Sequence, residues 1–163
     1  MALHIMLKFL NDKKMSGGSG PATRILFVVR NRALAQFIAL WVALRVDNAT
    51  LDATLGRLWM LFEPLGEGPR RTTVQDGLVC FEKLQRGGES MLFDMMVADE
   101  AHHLYSDKAS RDAIAMYCGD HTRLLLLCDI SQSTGSDIEC APGELKRTMG
   151  SSSTRTKDSA ILV

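Results

Sequence analysis

Apolar and polar positions alternate along this chain with two different periods, and the switches between them outline an α/β order. Ala2–Asn11 is apolar nearly all round, with His4 and Lys8 on one stripe, and predicts a buried helix. Lys13–Thr23 reads as a polar, glycine-rich linker. Ile25–Val29 is a β-branched and aromatic run suited to a fully buried strand. Arg32–Arg45 follows as a long helix expected to turn Leu34, Phe37, Ile38, Trp41 and Leu44 towards a core. From Asp47 to Gly66 two patterns compete. Leu51, Leu55 and Leu58 suit a helix, whereas Leu58–Phe62 suits a strand stopped by Pro64.

Gly66–Arg71 reads as a turn or exposed loop, Asp76 as the cap of a short helix through Leu84, and Arg86–Glu89 as a loop. Met91–Ala98 predicts a second buried strand. Ser106 or Asp107 caps a helix ended by Gly119, and Leu124–Cys128 predicts a third strand. Past Gly135 the periodicity is lost, so residues 1–140 are expected to form the folded core and 141–163 a disordered tail. Strands joined by helical crossovers imply a parallel sheet covered on both faces, with ligands outside the carboxyl ends of its strands. Arg30, Asp99 and Asp129 each follow a strand at that edge.

Composition narrows the class. With 163 residues, 46% of them hydrophobic, the chain can bury one substantial core. Its formal net charge is zero, which argues against strong autonomous binding to nucleic acid. Cys80, Cys118, Cys128 and Cys140 form no C-x-x-C pair, so neither disulfides nor structural zinc is expected, and Cys80 and Cys128 read as small core residues. No signal-peptide cleavage site or long apolar run is present, so the expected setting is intracellular, cytoplasmic or nuclear, with no membrane partner.

The chemistry concentrates in Met95–Tyr105, M-M-V-A-D-E-A-H-H-L-Y, where an apolar run meets two adjacent acids, Asp99 and Glu100. Leu124–Ser133, L-L-L-L-C-D-I-S-Q-S, repeats the pattern of a buried strand ending in an acid. Together these segments resemble motifs II and III of the superfamily-one helicase-like ATPases. Arg24–Gln36, R-I-L-F-V-V-R-N-R-A-L-A-Q, is similar to their motif Ia. The likeness covers about residues 1 to 135 and implies a partial RecA-like parallel sheet flanked by helices, of the P-loop NTPase type.

The resemblance implies Mg²⁺ and ATP as cofactors of the intact family, and DNA or RNA as the partner of the intact parent. It makes Asp99 the Mg²⁺ ligand and Glu100 the base that orients water. Gln132 becomes a catalytic γ-phosphate sensor, Asp129 positions its loop, and His102 couples the nucleotide site to neighbouring motifs. Arg30 and Asn31 line the nucleic-acid side. Each residue also has a plainer role: a solvated strand end for the acids, a local hydrogen bond for His102, a turn for Asp129 to Gln132, and a surface arginine for Arg30. Adjacent His102 and His103 do not make a zinc pair, since ligands on one helix face are spaced about four apart.

One part is missing. A P-loop requires G-x-x-x-x-G-K followed by Ser or Thr, and no Gly-Lys-Ser or Gly-Lys-Thr occurs. Gly17–Pro21 is glycine-rich but lacks the lysine, and reads as a turn. Where the family carries a phosphate-sensing arginine, Leu145–Ser152 has Gly150; where it has glycine before the motif III aspartate, this chain has Cys128. The expectation is a fragment or degenerate copy, inactive by itself, whose first strand and P-loop are absent. Its core would hold an unfilled slot and tend to self-associate. The alternatives are a non-catalytic α/β interaction module on the same scaffold, or a fragment of another P-loop signalling NTPase.

Overall fold

The computed structural model describes residues 2–11, 23–83, 91–128 and 160–162. Within them the chain builds a mixed sheet of six strands, flanked by helices, with a short seventh strand at one edge. In chain order these are α1 (Ala2–Asn11), β1 (Ile25–Val28), α2 (Arg32–Ala43), α3 (Leu51–Leu55), β2 (Leu58–Leu61), β3 (Arg70–Gln75) and β4 (Leu78–Lys83). They continue with β5 (Phe93–Ala98), α4 (Ala101–Leu104), α5 (Lys108–Ala115), β6 (Cys118–Leu127) and β7 (Ala160–Leu162). The sheet runs β4-β3-β2-β1-β5-β6-β7.

The centre of this sheet is parallel. β1 lies between β2 and β5, with Val28 opposite both Leu61 and Ala98, and β5 pairs in parallel with β6. Four apolar residues in succession make β1 fit only a position covered on both faces, and Ile25, Leu26, Phe27 and Val28 are all at most 1% exposed. Ile25 and Phe27 join a cluster under α1, α2 and α3. Leu26 and Val28 join a second cluster, on the other face, under α4 and α5. The crossover from β1 to β2 moves outward in one direction over the first face, and that from β5 to β6 moves in the opposite direction over the second. Opposite direction on opposite faces gives both crossovers the same hand, as parallel units require.

Several expectations are corrected here. The sheet is mixed rather than all parallel: β2 pairs antiparallel with β3, and β3 with β4. Asp76 caps no helix. Together with Gly77 it makes the two-residue turn of the β3–β4 hairpin, both residues at positive φ (52° and 76°), as the turn matching strand twist demands. The loop expected over Gly66–Arg71 ends in the first residues of β3. Between Asp47 and Gly66 the two competing patterns are both used, in α3 and then in β2.

The sheet has no slot. β2, β1, β5 and β6 are each bonded directly to the next, so a missing central strand between them has no place to enter. On α2 the face towards the sheet is Ala35, Ile38, Ala39 and Val42, whereas Phe37 and Leu44 are 59% and 83% exposed. Small residues win that face because they let the helix axis come close to the strands. Helix α5 is shorter than expected, closing at Met116, and β6 is longer, starting at Cys118. Cys128 is buried as expected, while Cys80 is only half-buried.

Arg57, between α3 and β2, ties α1 to this frame from the amino end of the sheet. Its Nε donates to the Thr23 carbonyl at 2.8 Å and its Nη1 to the Leu10 carbonyl at 2.7 Å. Burial lowers the affinity of this guanidinium for its proton, opposed by the nearby Asp94 carboxylate. Further along α1, the His4 ring meets Trp41 edge-on, and the Arg123 guanidinium lies over Phe9.

Candidate functional site at the carboxyl edge of the central strands

The strand order reverses direction between β1 and β5. From β1 the chain builds outward through β2, β3 and β4, then returns to β5 and builds the other way through β6 and β7. Such a switch point leaves a crevice outside the carboxyl ends of the two strands, because the loops that follow them part in opposite directions. Arg30 and Asn31 leave β1 there, and Asp99 and Glu100 leave β5.

The acids are held by backbone first. The Asp99 amide donates to the Val28 carbonyl at 2.9 Å, extending the β1–β5 ladder by one residue and fixing Asp99 beside the end of β1. Its Oδ1 accepts from the Glu100 amide at 3.1 Å. Partial burial at this edge raises the Asp99 carboxyl above its usual range, opposed by that amide; the Glu100 charge raises it further and His102 lowers it.

Glu100 adopts the left-handed conformation, φ 48° and ψ 45°, as the residue that turns the chain from β5 into α4. Its side chain makes no capping hydrogen bond, but its carbonyl accepts from the amides of His103 and Leu104 at 2.8 and 3.2 Å. A non-glycine residue in this region is strained, and such strain gathers at functional turns.

His102 is buried, 4% exposed, and its ring centroid lies 4.2 Å from that of half-buried His103. Arg30 is exposed. Asn31 is committed locally: its Oδ1 accepts from the Leu34 amide at 2.8 Å and caps α2. Arg30, Asn31, Asp99, Glu100 and His102 therefore come together at one edge. Asp129 and Gln132 lie outside the described residues.

Glu63 was not singled out from the sequence, yet it follows β2 at this same edge. It is exposed, its amide donates to the Arg30 carbonyl at 3.4 Å, and a cis peptide bond joins it to Pro64. The competing helix pattern over Asp47 to Gly66 hid it; Pro64 closing an apolar run was the available signal. Cys118 begins β6 at the opposite, amino end of the sheet, away from this edge, and burial pushes its thiol up to about 12, which disfavours the reactive thiolate.

Among the described residues no group of three or more His, Cys, Asp or Glu side chains is arranged to hold a metal ion. A Mg²⁺ ion asks less of a protein when it arrives with phosphates, taking one or two carboxylates and filling its remaining positions with phosphate oxygens and water. Half-buried Asp99 at an open edge fits that lesser demand. No helix among the described residues is long and apolar enough to cross a membrane.

No family model matches the chain, and no curated protein does so at a significant level. A solved structure does: a protein of unknown function from Methanothermobacter thermautotrophicus, at 14% identity and a TM-score of 0.51, over 98% of this chain and 84% of that one. That likeness is one of fold, and the α/β architecture is what the two share.

Proposed function

We propose that this chain carries the metal-holding and water-orienting half of a superfamily-one helicase-like NTPase. One observation carries the proposal: two adjacent acids, the first with a raised proton affinity, leave a buried central strand at the switch point of a sheet whose inner strands are parallel. The three segments likened to motifs Ia, II and III contribute β1, β5 and β6, three neighbouring strands in register.

In this reading Asp99 would hold the Mg²⁺ ion, in competition with a proton whose affinity burial raises. Glu100, one residue on in a left-handed backbone turn, would accept a hydrogen bond from the attacking water. The ion, when bound, would supply positive charge to offset the charge that develops on the phosphates. Arg30 presents a cation on the β1 side, where a nucleic-acid backbone would pass. Asn31, engaged as a cap, orients the start of α2 rather than a ligand.

Phosphate binding needs amides and a lysine that the sequence lacks, so the chain alone is expected to hydrolyse Mg²⁺–ATP at the background rate. Mn²⁺ in place of Mg²⁺ tests the acids directly. Paramagnetic broadening of amide signals should centre on residues 99–100 and vanish in Asp99→Ala, with Glu100→Gln retaining part of it. Broadening scattered over the surface, or unchanged in Asp99→Ala, would sink the proposal and favour a non-catalytic interaction module.

A further inference from the structure

The sheet ends differently at its two edges. On one side it ends in an antiparallel hairpin whose outer strand is β4. On the other, β6 is ten residues long, and β7 covers only its last three, Leu125 opposite Ala160, Leu126 opposite Ile161 and Leu127 opposite Leu162. β7 lies far along the chain, within a stretch whose composition predicts a tail, and reaches β6 only after residues 129–159. We propose that the outer edge of β6 is a strand-accepting surface, and that its partner is a second copy of this chain, which exchanges its own Ala160–Leu162 strand into that place.

Three features carry this. β5 already has a neighbour on each side, so on this side of the sheet an incoming strand finds its place beside β6, the edge that already pairs in parallel. The sequence Ala-Ile-Leu is already seated there in parallel, so the edge accepts this strand, and an identical segment from another copy makes the same ladder. Finally, three residues is about the shortest strand that proteins use, so few ladder bonds hold the resident strand in place. A short resident strand gives way, and the backbone it uncovers is a template for another.

The test uses the whole chain and a labelled peptide of residues 157–163, K-D-S-A-I-L-V. Successive N–H groups of a strand face opposite edges, so Ile161→Pro with Leu162→Pro removes whichever donor faces β6. Light scattering should show wild-type dimers that grow with concentration, and a double variant that stays monomeric. The variant, freed of its resident strand, should bind the peptide about tenfold more tightly than wild type. Wild type itself should bind the native peptide and reject one bearing both prolines, a comparison that holds even if the variant folds poorly. Equal binding of the two peptides, or dimers that persist in the double variant, overturns the proposal. Peptide binding without dimers overturns the choice of a second copy as partner.

Discussion

The left-handed backbone at Glu100 makes a prediction whose sign is unusual. An L-residue with a side chain costs roughly 1–2 kcal/mol in this region, because its Cβ crowds the following carbonyl. Glycine escapes that crowding but gives up about 0.5–1 kcal/mol through the extra freedom of its unfolded chain. Glu100→Gly and Glu100→Ala lose the same carboxylate, with the same relief of like charge beside Asp99, so the difference between them isolates the backbone. Glycine should be the more stable of the two by about 1 kcal/mol, and its acceptability ahead of a helix acts in the same direction. In a helix interior the order is reversed by about as much. Urea unfolding followed by far-ultraviolet circular dichroism reads the difference, which corresponds to roughly 2–4 °C in Tm for a domain of this size. If the Glu100→Ala variant proves as stable as the Glu100→Gly variant or more so, the turn carries no strain and the link between strain and function at this edge falls.

Two more predictions follow from burial. Because the folded Asp99 carboxyl is raised, its contribution to stability is fully present below the ordinary value of 3.8 and is lost as pH rises through the folded value; Asp99→Asn should therefore gain on wild type at neutral pH but not below 3.8, as pH-dependent melts would show. Arg57→Ala removes two charge-assisted hydrogen bonds and should cost about 2–3 kcal/mol, with amides of α1 losing exchange protection ahead of those in β1; protection lost equally everywhere would mean that Arg57 does not act through α1.

What could be read from the sequence follows from how local each signal is. Strand β1 was legible because its apolar run is unbroken, and β5 because only Asp94 interrupts it. Helix α1 was legible as a helix but not as a buried one, since His4, Ile5 and Lys8 are exposed and, among its described residues, only Met6 and Leu10 are buried in the core. The β3–β4 hairpin was not, since Arg70–Gln75 alternates mostly among polar side chains and Asp76 serves equally well as a helix cap; the following Gly77 was the deciding sign of a turn. On α2 the largest apolar residues suggested the buried face, but packing onto a sheet rewarded the alanines. At the site, the two acids stood out because their chemistry is written in adjacent positions. The left-handed turn at Glu100 and the nearness of Glu63 depend on φ angles and strand register, which no single residue reveals.

On the proposed reading, the charges gathered at the switch point also set an order of binding. Glu63, Asp99 and Glu100 stand at this edge against Arg30, with Arg32 just inside α2, so among the described residues the edge carries no excess of positive charge to offer a polyphosphate. A nucleotide approaching without its cation meets acids at close range, where partial burial weakens the screening by water. On the proposed reading the cation comes first or arrives already bound to the phosphates, and it competes with the proton whose affinity burial raises at Asp99. Binding should release protons and strengthen as pH rises through the folded Asp99 value. An interaction module that merely inherited the scaffold has no reason to couple a proton to a divalent cation at this position, so that coupling distinguishes the two readings without any measurement of turnover.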